Sequence, residues 1–196
     1  DSLMKPNKNY SAIIETNRGC PYQCTFCDQE ALYYNKIAKF DYDRVIKEID
    51  WVVKHKIDFL YFADSNVGIF DRDVDFIRYI AKCRNETGYP RQIDYSTAKQ
   101  QPKRIVELGR ILNQEANIKR GVTIALQSMN PDTLKAIKRI NIANTKLEQM
   151  VSEYNAAGVD NYCELIVGLP KETFDTWVSG IGKILELGSD HALTVH

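Results

Sequence analysis

Short apolar, β-branched runs alternate along the chain with longer segments whose apolar positions recur at helical spacing. The first run, SAIIETN (residues 11–17), ends in a polar, glycine-containing loop and predicts a strand. From Asp41, a good N-cap residue, DYDRVIKEIDWVVKHK puts Val45, Ile49, Val52 and Val53 on one face with Lys and Glu opposite, the pattern of an amphipathic helix. A second strand is expected over 58–66, a second helix over RDVDFIRYIAKCRNETG closing at Gly88, and a weaker third strand over 91–97. Pro102 opens a helix that should run to about Gln114. A fourth strand follows over 121–128, then a helix capped by Asn130 with Pro131 at its first position. A further helix over about 144–157 stops at Gly158, before a fifth strand over 161–169 and the helix in KETFDTWVSGIGKILELG. DHALTVH, residues 190–196, reads as a sixth strand.

Six strands separated by helices predict an α/β fold of parallel units, a partial TIM-type (β/α)6 barrel truncated at strand six. Residues 1–196 then form one domain cut from a longer protein, with no internal repeat, linker or low-complexity segment. Residues two apart on a strand share a face. In strand four Val122, Ile124 and Leu126 oppose Thr123, Ala125 and Gln127; in strand five Cys163, Leu165 and Val167 oppose Tyr162, Glu164, Ile166 and Gly168. If the apolar sets meet the helices, Gln127 and Glu164 point inwards, which implies a liganded interior instead of a filled core.

Charge adds little, since Lys plus Arg and Asp plus Glu both number 26 and no net field favours nucleic acid or an anionic membrane. The one basic cluster, KAIKR with Lys135, Lys138 and Arg139, is short. No apolar run approaches the roughly 20 residues of a membrane span, and DSLMKPNKNY lacks the apolar stretch of a signal peptide. A soluble, cytoplasmic protein is expected, with no membrane partner and no nucleic acid.

The chemistry concentrates in ETNRGCPYQCTFCDQ, where Cys20, Cys24 and Cys27 follow the first strand with the spacing C-x3-C-x2-C. Five cysteines without a secretion signal argue against a disulfide framework. The loop leaves the end of a barrel strand, the face where such enzymes hold their active sites. A structural zinc site needs a fourth ligand, and His55, His191 and His196 all lie far away in sequence. A [4Fe–4S] cluster normally takes four cysteines, so three leave one iron open. Cys83 and Cys163 fall on apolar faces and read as core thiols. Trp51 and Trp177 read as core or interface residues, and Tyr33 and Tyr34 either line a substrate entrance or simply pack.

The motif resembles that of the radical S-adenosylmethionine (SAM) enzymes, C-x3-C-x-aromatic-C, matched by Cys20, Cys24, Phe26 and Cys27. The resemblance implies a [4Fe–4S] cluster on the three cysteines, with the open iron chelated by the amino and carboxylate groups of SAM. Reductive cleavage of SAM would then give methionine and a 5'-deoxyadenosyl radical, the cofactors carrying the hard chemistry and the protein orienting them. No catalytic side chain is implied beyond the cluster.

Further positions follow from the same resemblance. FADSN replaces the family's GGE-like motif, and makes Asp64, Ser65 and Asn66 candidate contacts of the SAM amino group. Ser96 stands where relatives place a polar SAM ligand. ALQSMNPDTLKAIKR resembles the fourth-strand segment of the coproporphyrinogen-dehydrogenase-like and cobalamin-linked branches, with Gln127 at the ribose and Arg139 pairing with the SAM carboxylate. ELIVGLPKET resembles the GLPGET motif, with Glu164 at the ribose hydroxyls and Gly168 beside the adenine. The nearest branch carries an N-terminal cobalamin-binding domain and includes methyltransferases and oxidative cyclases; cobalamin, and missing N- and C-terminal domains, are implied on that ground alone. A small-molecule substrate and an electron donor such as flavodoxin or ferredoxin are the implied partners. Porphyrinogen-type oxidative decarboxylation, a redox-inert zinc- or cluster-binding module and a scaffold without turnover are the alternatives.

Overall fold

The structure is a computed structural model that describes residues 4, 8–27, 36–187 and 193–195. Strand β1 (Ser11–Ile14) leads into a short antiparallel pair, β2 (Asn17–Arg18) with β3 (Ala38–Lys39). Then come α1 (Tyr42–Lys54), β4 (Phe59–Val67), α2 (Asp71–Thr87), β5 (Gln92–Thr97) and α3 (Pro102–Arg110). The second half holds β6 (Val122–Gln127), α4 (Pro131–Ala136), α5 (Asn144–Ala156), β7 (Asn161–Leu165), α6 (Phe174–Glu186) and β8 (Leu193–Val195). All ladders except β2–β3 are parallel, in two sheets ordered β1-β4-β5 and β6-β7-β8.

Side chains, not a ladder, bridge the two sheets among the described residues. Thr97 Oγ1 donates to the Thr123 carbonyl at 3.0 Å. Arg120, just before β6, pairs with Asp94 of β5 at 3.0 Å, donates to the Tyr95 carbonyl and lies 3.8 Å from the Tyr95 ring centroid. Residues of both sheets line one cavity, so the six parallel strands act as a partial barrel that does not close.

Local chemistry accounts for the helix boundaries. Asp41 Oδ1 accepts from the Arg44 amide at 2.9 Å at the start of α1. Gly88 ends α2 at φ 85°, a conformation glycine adopts without a Cβ penalty. Asn130 Oδ1 accepts from the Asp132 amide at 3.0 Å, and Pro131 opens α4. The apolar stripes then bury: Val45 and Ile49 of α1, Phe76, Ile77 and Ile80 of α2, Leu108 of α3 and Tyr154 of α5 are at most 1% exposed. They meet the outward strand set of Leu60, Phe62, Ile93, Val122, Ile124, Cys163 and Leu165. Each such large side chain contributes about 1.5–3 kcal/mol by leaving water.

Four expectations change. The first strand breaks after Ile14, because the Thr16 amide is bonded to the Asp64 carboxylate. The helix from Pro102 ends as regular α-helix at Arg110 and continues as a wider π turn, Ile111–Glu115. The fifth strand stops at Leu165, and the chain turns through Gly168 and Lys171 at φ 80° and 65°. Trp51 is 41% exposed, its ring 4.2 Å from that of His55, so it is no core residue. No helix among the described residues is long and apolar enough to cross a membrane. Tyr33, Tyr34, His191 and His196 lie outside the described residues.

Candidate cofactor site

The cysteine loop is fastened from three directions. Asp64 of β4 is 2% exposed, and its carboxylate accepts from the amides of Thr16 and Asn17 at 3.1 and 2.6 Å and from Thr16 Oγ1 at 2.8 Å. Burial pushes the Asp64 carboxyl above its usual pKa, and these bonds pull it partly back. Arg72 of α2 donates to the carbonyls of Phe40 and Thr16. Beyond Gly19, at φ 111°, the loop is pinned where the Thr25 amide donates to the Ile137 carbonyl at 3.1 Å.

The three thiols then take different positions. Cys24 is buried, while Cys20 and Cys27 are half-buried and line the cavity. Asn66 Nδ2 donates to Cys20 Sγ at 3.3 Å; Lys99 Nζ and Arg139 stand 3.7 and 3.8 Å from Cys24 Sγ. Burial lowers the pKa of both cations, and the cysteines raise it again in part. Lys99 and Arg139 thus set positive charge beside Cys24 Sγ. Among the described residues no three His, Cys, Asp or Glu side chains are gathered tightly enough to hold one metal ion. A cubane makes a different demand, since each thiolate binds its own iron and the sulfurs stand further apart than the ligands of a single ion. Three thiols on one short loop, two facing a polar cavity and one against cations, fit a cluster better than a closed zinc site.

The cavity is about 400 Å³ and combines Tyr61, Ser65 and Asn66 of β4, Asp94 and Ser96 of β5, Thr123 and Ala125 of β6, and Tyr162 and Glu164 of β7 with Cys20, Cys27, Lys99 and Arg120. Thr123 Oγ1 donates to the Tyr162 hydroxyl at 2.5 Å. A concave site with a few convergent polar groups is the usual form of a small-molecule pocket.

Of the residues singled out in the sequence, Cys20, Cys27, Ser65, Asn66, Ser96 and Glu164 meet in this cavity. Glu164 sits on the inward face that strand parity predicts. Gln127 does not: Ala125 pairs with Glu164 but Gln127 pairs with Leu165, so a bulge breaks the alternation, and Gln127 is buried at φ 68° with its carbonyl accepting from the Ile166 amide. Asp64 is a buried clamp and does not line the cavity. Arg139 lies beyond the end of α4 and is 5% exposed; it donates through Nε to Asn141 Oδ1 at 2.7 Å and through its other nitrogens to the Ala125 carbonyl and Cys24 Sγ. Phe26 is 37% exposed on the cysteine turn, and Gly168 is exposed beyond the end of β7. Sequence reasoning missed Lys99 and Arg120. Lys99 lies just past the end of a weak strand, with no periodicity to assign it a face, and Arg120 precedes β6 at the opposite strand end.

The sequence model of the radical SAM superfamily matches residues 14–179, from the end of β1 to the middle of α6. The chain belongs to the radical SAM superfamily. A radical SAM domain has a [4Fe–4S] cluster and SAM as its cofactors. The chain is 36% identical to a cobalamin-dependent radical SAM methyltransferase of Streptomyces tokunonensis and 35% identical to 2-(S-pantetheinyl)-carbapenam-3-carboxylate methyltransferase of Streptantibioticus cattleyicolor, each over 95% of this chain and 27% of the relative. It thus spans about a quarter of the length of these curated relatives. Among solved structures, the radical SAM methyltransferase TsrM of Kitasatospora setae superposes with a TM-score of 0.74 at 18% identity, over 94% of this chain and 35% of that one. Coproporphyrinogen III oxidase of Escherichia coli superposes at 0.66 and 18% identity, over 98% of this chain and 45% of that one. At that identity the two structures speak for the fold alone.

Proposed function

We propose that this radical SAM domain is the core of a cobalamin-dependent methyltransferase acting on a small-molecule substrate. The observation that carries the reading is the 36% and 35% identity, across 95% of the chain, to two methyltransferases. Porphyrinogen-type chemistry rests on a likeness of fold at 18% identity and is the weaker reading.

In this proposal Cys20, Cys24 and Cys27 hold the cluster. When bound, the cluster supplies the electron that splits SAM into methionine and a 5'-deoxyadenosyl radical. The chain's own residues orient and shield: Asn66 fixes Cys20, and Ser65, Ser96 and Glu164 offer polar contacts within the cavity. Glu164 accepts from hydroxyl groups, as the ribose of SAM would require, and Arg120 with Asp94 closes the seam between the sheets. Cobalamin would be held by a part of the full-length protein beyond these residues, and a flavodoxin or ferredoxin would deliver electrons.

The test uses the full-length protein, loaded anaerobically with cluster and cobalamin and supplied with a low-potential reductant and SAM deuterated in its methyl group. The carbapenam carboxylate that names the S. cattleyicolor relative is the first substrate to try. Release of 5'-deoxyadenosine together with label in a substrate product is expected. Oxidised product without transferred label would contradict the methyltransferase reading.

A further inference from the structure

We propose that the surface behind the cysteine loop, formed by Lys135, Lys138 and Ile140, is the docking site of a small acidic electron-carrier protein; this rests on the reading that the cysteines hold a redox-active cluster. The basic KAIKR segment does not line the cofactor cavity, yet the fold sets it against the cysteine loop. The Thr25 amide donates to the Ile137 carbonyl at 3.1 Å, and Arg139 reaches Cys24 Sγ at 3.8 Å. Helix α4 ends in a left-handed turn, the Arg139 amide donating to the Leu134 carbonyl at 2.9 Å with Lys138 at φ 50°. Glycine is the usual residue at such a turn, and a lysine there is the more strained choice. The turn sorts its side chains: Ile137 and Arg139 are buried, whereas Lys138 and Ile140 are exposed, Ile140 to 76%. Residues that touch the cysteine loop thus alternate with residues that face solvent.

Charge and chemistry select the partner. From Pro131 to Leu147 the chain carries Lys135, Lys138, Arg139 and Lys146 against one acid, Asp132, and residues 19–27 carry no acid at all. Lys135 is exposed, as are Pro21, Gln23 and Thr25 of the loop, and Phe26 is 37% exposed. An apolar centre with a basic rim and little opposing charge suits a negatively charged protein, because complementary fields speed encounter and orient it. Transient redox encounters need only a small contact area. SAM, in the reading above, takes the inward side of the cysteine loop, where Cys20 and Cys27 line the cavity, which leaves the outward side for the electron. A carrier docked on Lys138 and Ile140 stands over Arg139, the residue between them that touches Cys24. The step moves one electron: the reduced carrier is oxidised, the cluster is reduced, and no bond is made or broken at the surface.

The experiment uses the full-length protein, loaded anaerobically with its cluster, and follows by stopped flow the reduction of that cluster by reduced flavodoxin, a small acidic flavoprotein. The wild-type rate is expected to fall steeply with added salt. Lys135→Glu/Lys138→Glu should lower the second-order rate at low salt about tenfold or more and flatten the salt dependence, and Lys135→Gln/Lys138→Gln should fall between. Lys47→Glu/Lys82→Glu makes the same charge change at exposed positions of α1 and α2 and should leave the rate within about twofold. The methyl viologen radical cation should reduce the charge-reversed protein no more slowly than wild type, which a damaged cluster would not allow. Carbodiimide coupling of flavodoxin carboxylates should join the peptide that carries Lys135 and Lys138. Equal flavodoxin rates in the charge-reversed and wild-type proteins, an equal loss in the Lys47 and Lys82 control, slowed reduction by viologen, or cross-links confined to other lysines would show the assignment to be wrong. A wild-type protein that holds its cluster but releases no 5'-deoxyadenosine from SAM with dithionite would instead overturn the reading of SAM cleavage on which the assignment rests.

Discussion

Replacing any one of Cys20, Cys24 and Cys27 by Ala is expected to abolish cluster assembly, whereas Cys83→Ala and Cys163→Ala should assemble it in full. The asymmetry is physical. Cys163 of β7 is buried in the apolar core, where a thiol acts as a small hydrophobe, and Cys83 is buried on α2 in hydrogen-bond contact with Tyr79. Cys20 and Cys27 face the cavity, and Cys24 is buried beside Lys99 and Arg139. With three protein ligands, losing one leaves two irons without a thiolate. Iron and acid-labile sulfide per chain, with the visible absorbance after anaerobic reconstitution, provide the check. Full iron content in a Cys24→Ala protein would show that the motif is not the ligand set.

Asp64→Ala is expected to lower the stability of the domain by about 2–4 kcal/mol, since it leaves two buried amides and a hydroxyl without their acceptor. The carboxylate ties β4 to the turn between β1 and β2, directly before the cysteine loop, so cluster content should fall with stability. Asp64→Asn keeps a single acceptor oxygen and should fall between the two. Chemical denaturation of the apo protein measures the first effect and iron content the second. An Asp64→Ala protein of unchanged stability that binds SAM weakly would restore the role of direct SAM contact suggested by the FADSN motif.

Elements defined by local chemistry were legible in the sequence. Asp41, Gly88 and the Asn130–Pro131 pair mark helix ends because caps act over three or four residues. Parity located Glu164 because β7 runs without interruption from Asn161 to Leu165. It failed at Gln127 because β6 takes an extra residue there, and no glycine or proline within the strand announces the bulge. The contacts around the cysteines were out of reach for another reason. Lys99 meets Cys24 across 75 positions and Arg139 meets it across 115, so only the packing of β5 and α4 against the first loop brings them together. The same applies to Arg120, which meets Asp94 across the seam between two sheets that share no ladder among the described residues.

The central claim is that three thiolates hold a cluster and leave one iron for SAM. Electron paramagnetic resonance of the reduced, reconstituted full-length protein, recorded with and without SAM, tests it most directly. The account predicts a [4Fe–4S] signal that changes when SAM is added, because a new ligand reaches the open iron. An unaltered cluster signal in the presence of saturating SAM, or a colourless protein holding stoichiometric zinc, would contradict it.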